Sequence, residues 1–350
     1  MSAPLPQALR DYAQLAEPRL AAFLDEKGAE LRKLPVDLSR AHAALRDYVL
    51  RGGKRLRGAL VLLGHEAAGG AREAALSASL GIELLHAYLL IHDDFMDRDE
   101  LRRGGPTLHV ALGRAPGASG HLGASLAILA GSLCEAWALE LVLEAPVAPA
   151  RALAAARHLA RALADVTIGQ MLDVAAPLGP ELSARGVLKI EELKTGSYTF
   201  ELPLVLGALL GGAGEGILAA LRGYARPLGQ AFQIADDLLG TFGAPEVTGK
   251  SSANDLREGK RTLLIARALE QAPAADAAAL RDGLGRPGMT DAEAEGLRDI
   301  LRRSGAEAAA RAEAQRLCAQ ALAALEGNVL PAAVAEGLRA IAEYAVRRSR

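Results

Sequence analysis

Ala75 to Glu100 reads ALSASLGIELLHAYLLIHDDFMDRDE. Up to His92 the stretch is apolar nearly all round a helix, so this helix is expected to be central and buried. Five carboxylates then fall within eight positions, Asp93, Asp94, Asp97, Asp99 and Glu100, with only Arg98 to offset them. Asp93 and Asp97 are four apart on one helix face, where like charges repel. They also come late in the helix, where the macrodipole disfavours negative charge. A hard divalent cation removes both penalties, and Mg²⁺ is commonly held by one or two carboxylates together with substrate phosphates. The bland alternative is a solvated acidic helix end. The apolar run that leads directly into the cluster draws Asp93 toward the core and weighs against it.

The rest of the chain fits a helical host. It has 350 residues, 51% hydrophobic and 23% charged, which excludes global disorder. Aromatics are only 3% and the apolar weight is Ala and Leu, so the fold is read as all-α, a single large helical bundle. Helical periodicity recurs over 122–145, 150–175, 200–211 and 217–239. A more charged second wave follows over 261–272, 290–304 and 305–326. Gly- and Pro-rich breakers separate these segments, and no composition shift demands a domain boundary. With 40 Lys+Arg against 42 Asp+Glu there is no footprint for nucleic acid. Cys134 and Cys318 are too few for a disulfide framework and suit a reducing compartment. The N-terminus lacks the pattern of a secretory signal. The longest apolar runs fall short of the ~20 residues of a membrane span. A soluble cytoplasmic protein is expected.

A second Asp pair, Asp236-Asp237, again closes an apolar helix, with Gln233 one turn earlier. Helix bundles build metal sites from inward side chains on facing helices, so the two acidic ends are expected to face one cavity. Cations in Gly-rich turns complete the pattern: Gly52-Gly53-Lys54-Arg55-Leu56-Arg57, Arg102-Arg103-Gly104-Gly105, Lys194-Thr195, and Thr248-Gly249-Lys250 through Gly259-Lys260-Arg261. Such turns suit phosphate oxygens. Gly243 to Ser251 is one residue too long for a P-loop and follows a helix. Gly211 to Gly216 misses the dinucleotide spacing. The histidines never stand at zinc spacing with Cys or Glu.

These motifs together resemble the trans-isoprenyl (polyprenyl) diphosphate synthases over about residues 45–265. GGKRLRGAL at 52–60, HDDFMDRDELRRGGPT at 92–107, GQMLD at 169–173, KTGSY at 194–198, QIADDLLGTFG at 233–243 and TGKSSANDLREGKRT at 248–262 occur in the family's order. The resemblance implies an isoprenoid synthase bundle over 1–350 with a central active-site cavity, its C-terminal helices over 266–350. It implies a Mg²⁺-dependent condensation of isopentenyl diphosphate with an allylic diphosphate (dimethylallyl, geranyl or farnesyl), with about three Mg²⁺ ions. Asp93, Asp94 and Asp97 look like the first aspartate-rich motif, and Asp236 and Asp237 like the second. Lys54, Arg57, His86 and Arg103 match positions that hold isopentenyl diphosphate. Arg102, Lys194, Lys250 and Lys260 match allylic diphosphate contacts. Lys194, Thr195 and Gln233 match groups that stabilise the developing carbocation. Gln170 and Asp173 match a helix pair near the metal-diphosphate site. The family is usually homodimeric.

Two positions depart from the pattern. Gly240 stands where the second motif usually has a third Asp, and Ser132 where an Asp is common. Product length is read from Tyr88 and Leu89, five and four residues before Asp93, which should line the tunnel floor. A bulky Tyr88 and an uninterrupted first motif look like a geranylgeranyl (C20) synthase. A farnesyl (C15) synthase and a non-catalytic subunit of a heteromeric synthase are the alternatives. A class I terpene cyclase would need Ser and Glu where Glu258 and Thr262 follow Asn254-Asp255, so that match fails.

Overall fold

The computed structural model describes residues 4–115, 117–178, 182–243, 254–327 and 329–347. Lys250 lies outside them. The chain divides into two compact units. The N-terminal unit gathers Leu5–Arg157 and Pro203–Ala213; the C-terminal unit gathers His158–Leu202 and the chain from Gly214 onward.

The N-terminal unit holds α1 (Gln7–Leu31), α2 (Ser39–Leu50), α3 (Leu56–Ala67), α4 (Leu76–Met96), α5 (Leu108–Gly113), α6 (Gly120–Leu143), the start of α7 (Pro149–Ala175) and nearly all of α9 (Leu202–Gly211). α4 is the long apolar helix of the sequence, and Ile82, Leu84, Leu85 and Ile91 are within 1% of complete burial. It packs on α3 and α6. Glycines set the closest approaches. A β-carbon on Gly81 would meet the Ala138 carbonyl of α6 at 2.7 Å, and one on Gly207 of α9 would meet the Val61 carbonyl of α3 at 2.0 Å. Two helical segments reach the length and apolarity of a membrane span, Arg72–Met96 and Gly120–Leu143, where the sequence reading expected none. The first is 67% buried within the protein, as a core helix is. α6 is only 39% buried. Its exposed Leu122, Ile128, Leu129, Leu139 and Leu143 fall within an arc of roughly 120° at 100° per residue.

The all-α expectation holds except for one hairpin, β1 (Leu101–Arg102) against β2 (Gly105–Pro106). Its two-residue turn has positive φ at both positions, 50° at Arg103 and 74° at Gly104, as a tight right-twisted hairpin requires.

The C-terminal unit holds the rest of α7, α8 (Ala184–Glu191), a π-helical segment (Glu192–Glu201), α10 (Glu215–Phe242), α11 (Asn254–Glu258), α12 (Leu263–Gln271), α13 (Ala274–Gly283), α14 (Asp291–Arg303), α15 (Ala306–Ala323) and α16 (Ala332–Arg347). α10 is its spine and packs on the π segment, α15 and α16. Tyr224 of α10 is fully buried and donates its hydroxyl to the Leu338 carbonyl at 2.7 Å. α14 begins with a reciprocal Thr290–Glu293 capping box.

Candidate active site

In the N-terminal unit the helical step of 100° puts Leu89, Asp93 and Asp97 within roughly 80° of one another, with His86 inside that arc. Asp94 stands about 100° away from Asp93 and is used differently. It is buried; its Oδ2 accepts from the Tyr48 hydroxyl at 2.6 Å and its Oδ1 from Arg102 Nε. Burial pushes the Asp94 carboxyl up, and the Arg102 charge and the Tyr48 and Arg102 hydrogen bonds pull it back. The hairpin is what returns Arg102 to α4, since Thr107 Oγ1 donates to the Asp99 carbonyl at 2.7 Å and Arg102 also meets Asp99 at 3.3 Å. Tyr48 carried no mark of this role in the sequence.

Arg103 donates to the Gly52 carbonyl, and a β-carbon on Gly53 would meet its guanidinium at 2.9 Å. Gly53 has φ of 135°, open only to glycine. Arg55 is committed elsewhere: 5% exposed, it pairs with buried Glu83 at 3.3 Å. Arg57 Nη1 donates to His86 Nε2 at 3.3 Å. Burial, with Arg57, Arg103, Arg102 and Arg55 nearby, pushes His86 well down, so its imidazole is neutral at pH 7. Tyr88 faces His92, ring centroids 4.7 Å apart and edge to face. His92 is anchored by Nε2 donating to the Ile128 carbonyl of α6 at 3.0 Å, against Gly131, where a β-carbon would come within 2.6 Å of the imidazole. Tyr88 therefore stands on the α6 side of α4, about 140° round from Asp93, while Leu89 shares the Asp93 face.

The C-terminal unit contains a cavity of about 370 Å³. Asp236, Asp237 and Gln233 of α10, Lys194 and Thr195 of the π segment, and Lys260 line it. Asp173, Glu191, Asp255 and Thr262 line it too. The π segment explains how Lys194 and Thr195 arrive. Wide single turns of this kind recur at functional sites, and here the backbone is held between two glycines. A β-carbon on Gly169 of α7 would meet Lys194 N at 2.5 Å, and one on Gly229 of α10 would meet the Gly196 carbonyl at 2.7 Å. Lys194 Nζ reaches Asp173 at 2.7 Å, and Gln233 Nε2 donates to Asp237 Oδ1 at 2.8 Å.

Asp237 is 5% exposed, and burial, Glu191 and Asp255 together push its carboxyl well up. Glu191, opposite, is pushed up to about 7, chiefly by burial. Sequence reading missed Glu191, because a glutamate at a helix end ordinarily faces water. Two buried polar atoms of this cavity have no hydrogen-bond partner among the described residues, Asp237 Oδ2 and Thr262 Oγ1. Oxygen donors of this kind fit a hard cation such as Mg²⁺. Among the described residues no group of three His, Cys, Asp or Glu side chains is placed so that it could hold a metal ion.

Comparison with known proteins follows the same lines. The profile of the polyprenyl synthetase family matches residues 39–301. A geranylgeranyl diphosphate synthase of Methanosarcina mazei is 37% identical over 230 residues, 66% of this chain and 68% of that one. A (2E,6E)-farnesyl diphosphate synthase of Mycobacterium tuberculosis is 34% identical over 299 residues, 85% of this chain and 80% of that one. A crystal structure of geranylgeranyl pyrophosphate synthase from Corynebacterium glutamicum, complexed with isoprenyl diphosphate and magnesium, superposes with a TM-score of 0.91 at 32% identity, covering 99% of this chain and 100% of that one.

Proposed function

The chain belongs to the polyprenyl synthetase family and is a prenyltransferase of prenyl diphosphate condensation, and from that premise we propose that it joins isopentenyl diphosphate to an allylic diphosphate to make geranylgeranyl diphosphate (C20). The observation that supports the site assignment is the cavity wall on α10, where buried Asp237 faces Glu191 and its Oδ2 has no donor among the described residues. A cation is the simplest group to satisfy it.

In this reading residues 1–350 form a single isoprenoid synthase domain, and Asp93, Asp97, Asp236 and Asp237 would hold Mg²⁺ for the allylic diphosphate. Magnesium, when bound, offsets the charge that develops on the departing diphosphate. Asp94 contributes at one remove, by fixing Arg102, whose guanidinium then contacts that diphosphate. Lys194 and Lys260 hold it from the C-terminal unit, and Lys250 is proposed to join them. Lys54, Arg57 and Arg103 bind isopentenyl diphosphate, and His86, held neutral, donates to it without adding charge.

The allylic C–O bond breaks with its electron pair leaving on the diphosphate. The double bond of isopentenyl diphosphate attacks the allylic carbon, a C–C bond forms, and the departed diphosphate takes the proton whose loss restores the alkene. The Thr195 hydroxyl and the Gln233 amide oxygen present dipoles to the cation, and apolar walls exclude the water that would quench it. Tyr88, braced by His92, ends the product tunnel, with Leu89 beside it; a farnesyl (C15) product is the second reading, favoured by the Mycobacterium relative. The exposed apolar arc of α6 supports a homodimer, since contiguous apolar faces mark interaction sites. The free thiols Cys134 and Cys318 suit the cytoplasm.

Incubation with Mg²⁺, isopentenyl diphosphate and each allylic primer tests the reading. A longer prenyl diphosphate, C20 as the end product, is expected. No product with any primer overturns the catalytic assignment, and a cyclic hydrocarbon indicates a cyclase.

A further inference from the structure

Three of the four residues that lead into α3 have positive φ: Gly52 at 84°, Gly53 at 135° and Arg55 at 49°. Glycine takes such angles freely, and an arginine does not. A strained residue of this kind persists only where its surroundings fix it. Arg55 is buried, so what fixes it is protein.

Its contacts join three helices. Arg55 Nη2 donates to the Val49 carbonyl at 3.0 Å, in the last turn of α2, where carbonyls lack helical partners. Arg55 Nη1 donates to Glu83 Oε2 at 3.3 Å. Glu83, on α4, is buried too, and its Oε1 accepts from Gly58 N at 2.8 Å. Gly58 is the third residue of α3, and the N-cap of that helix, Arg55, makes no side-chain cap. Glu83 therefore caps α3 from another helix, and its charge suits the positive end of the helix dipole. Tyr12 of α1 closes the other side: a β-carbon on Gly58 would come within 1.9 Å of its hydroxyl oxygen. One turn along α4 from Glu83, His86 accepts from Arg57. Arg55 and Arg57, two apart, thus meet residues three apart on one face of α4. Glu83 also favours the charge of Arg103, which burial and Arg55 disfavour.

A buried ion pair adds little net stability, and apolar side chains of similar volume often serve as well. What this pair supplies, and an apolar pair does not, is directed hydrogen bonds at both ends of the 51–55 loop. Lys54 lies between those ends. We propose that Glu83 and Arg55 are positioning residues for isopentenyl diphosphate. Their fork fixes the loop and the first turn of α3 so that Lys54, Arg57 and Arg103 present their charges to one diphosphate. This rests on the reading of those three as its binding groups.

The test uses the full chain. Titration calorimetry with Mg²⁺ and isopentenyl diphosphate, without an allylic partner, reads Kd, and steady-state assay reads KM for each substrate. Arg55→Lys keeps the charge and loses the fork. Glu83→Gln keeps the shape and loses the charge. Each is expected to raise Kd and KM for isopentenyl diphosphate about tenfold or more, as misplaced binding groups do, with KM for the allylic diphosphate held within about twofold. Glu83→Gln combined with Arg55→Met leaves no unpaired buried charge and should keep the parental far-UV circular dichroism. It should show the same selective loss as either single variant rather than their product, because the two side chains act as a unit. Unchanged Kd in Arg55→Lys and in the double variant, or an equal rise in KM for both substrates, overturns the inference. Should Glu83→Gln fail to fold, Arg55→Lys and the double variant decide it alone. Lys54→Ala and Arg57→Ala separate the two levels. If both leave Kd for isopentenyl diphosphate intact, the binding-group reading falls. If they weaken it while Arg55→Lys and the double variant do not, the present inference alone falls.

Discussion

The acidic end of α4 and the acidic wall of α10 carry similar sequence, a pair of aspartates closing an apolar helix, and treat their buried carboxylate in opposite ways. On α4, Asp94 is buried with a phenol and a guanidinium bound to it, so the protein itself supplies the counter-charge. On α10, Asp237 is buried against Glu191 and Asp255, and what donates to its Oδ1 is the neutral amide of Gln233. The first arrangement is complete as it stands. The second is held at an electrostatic cost that a bound cation relieves. Two carboxylates that read alike along the chain thus meet opposite surroundings, a phenol and a guanidinium for one, two acids for the other.

The contrast can be broken experimentally. The largest effect is expected from Asp236→Ala, which should lower kcat by about 10³-fold or more, as the loss of several kcal/mol of charge stabilisation requires; steady-state assay at saturating Mg²⁺ checks it. Next, Tyr48→Phe removes the hydroxyl from Asp94 and should destabilise the protein by about 2 kcal/mol, read from denaturant melts. Asp237→Asn should act with the opposite sign, raising Tm of the metal-free protein at pH 8 by a few degrees, at roughly 2–4 °C per kcal/mol, while the stabilisation gained on adding Mg²⁺ and pyrophosphate disappears. The smallest effect concerns Glu191. Its carboxyl is pushed up to about 7 in the folded chain, above its unfolded value, so the stability it allows is present at low pH and is lost as pH rises through about 7. Metal-free Tm should therefore fall between pH 5 and 8, and Glu191→Gln should flatten that fall in a pH series of thermal melts. Product length sharpens a separate point. Tyr88→Ala should lengthen the chain seen by mass spectrometry, and unchanged length would remove Tyr88 from the specificity assignment.

Much of this was legible in sequence, for a local reason. An all-round apolar helix ending in acids, and Gly-Gly followed by cations, each declare themselves within one or two turns. The helix over 217–239 was expected where 215–242 forms, and 290–304 where 291–303 forms. Two apolar segments that looked too short for a span became long helices once 72–96 and 120–143 folded as continuous elements. The π turn at 192–201 was not legible, because its cause lies in Gly169 and Gly229, dozens of residues from Lys194-Thr195 in either direction.

By itself the sequence determined the helical class, the family and the kinds of residue suited to diphosphate, since periodicity and short motifs are properties of neighbouring positions. Only the tertiary structure decided how each charge is spent. Asp94 and Asp237 read alike along the chain; Tyr48 and Arg102 come to one, Glu191 and Asp255 to the other. Charge energetics depend on distance and burial through space, and those are fixed by packing between segments remote in sequence.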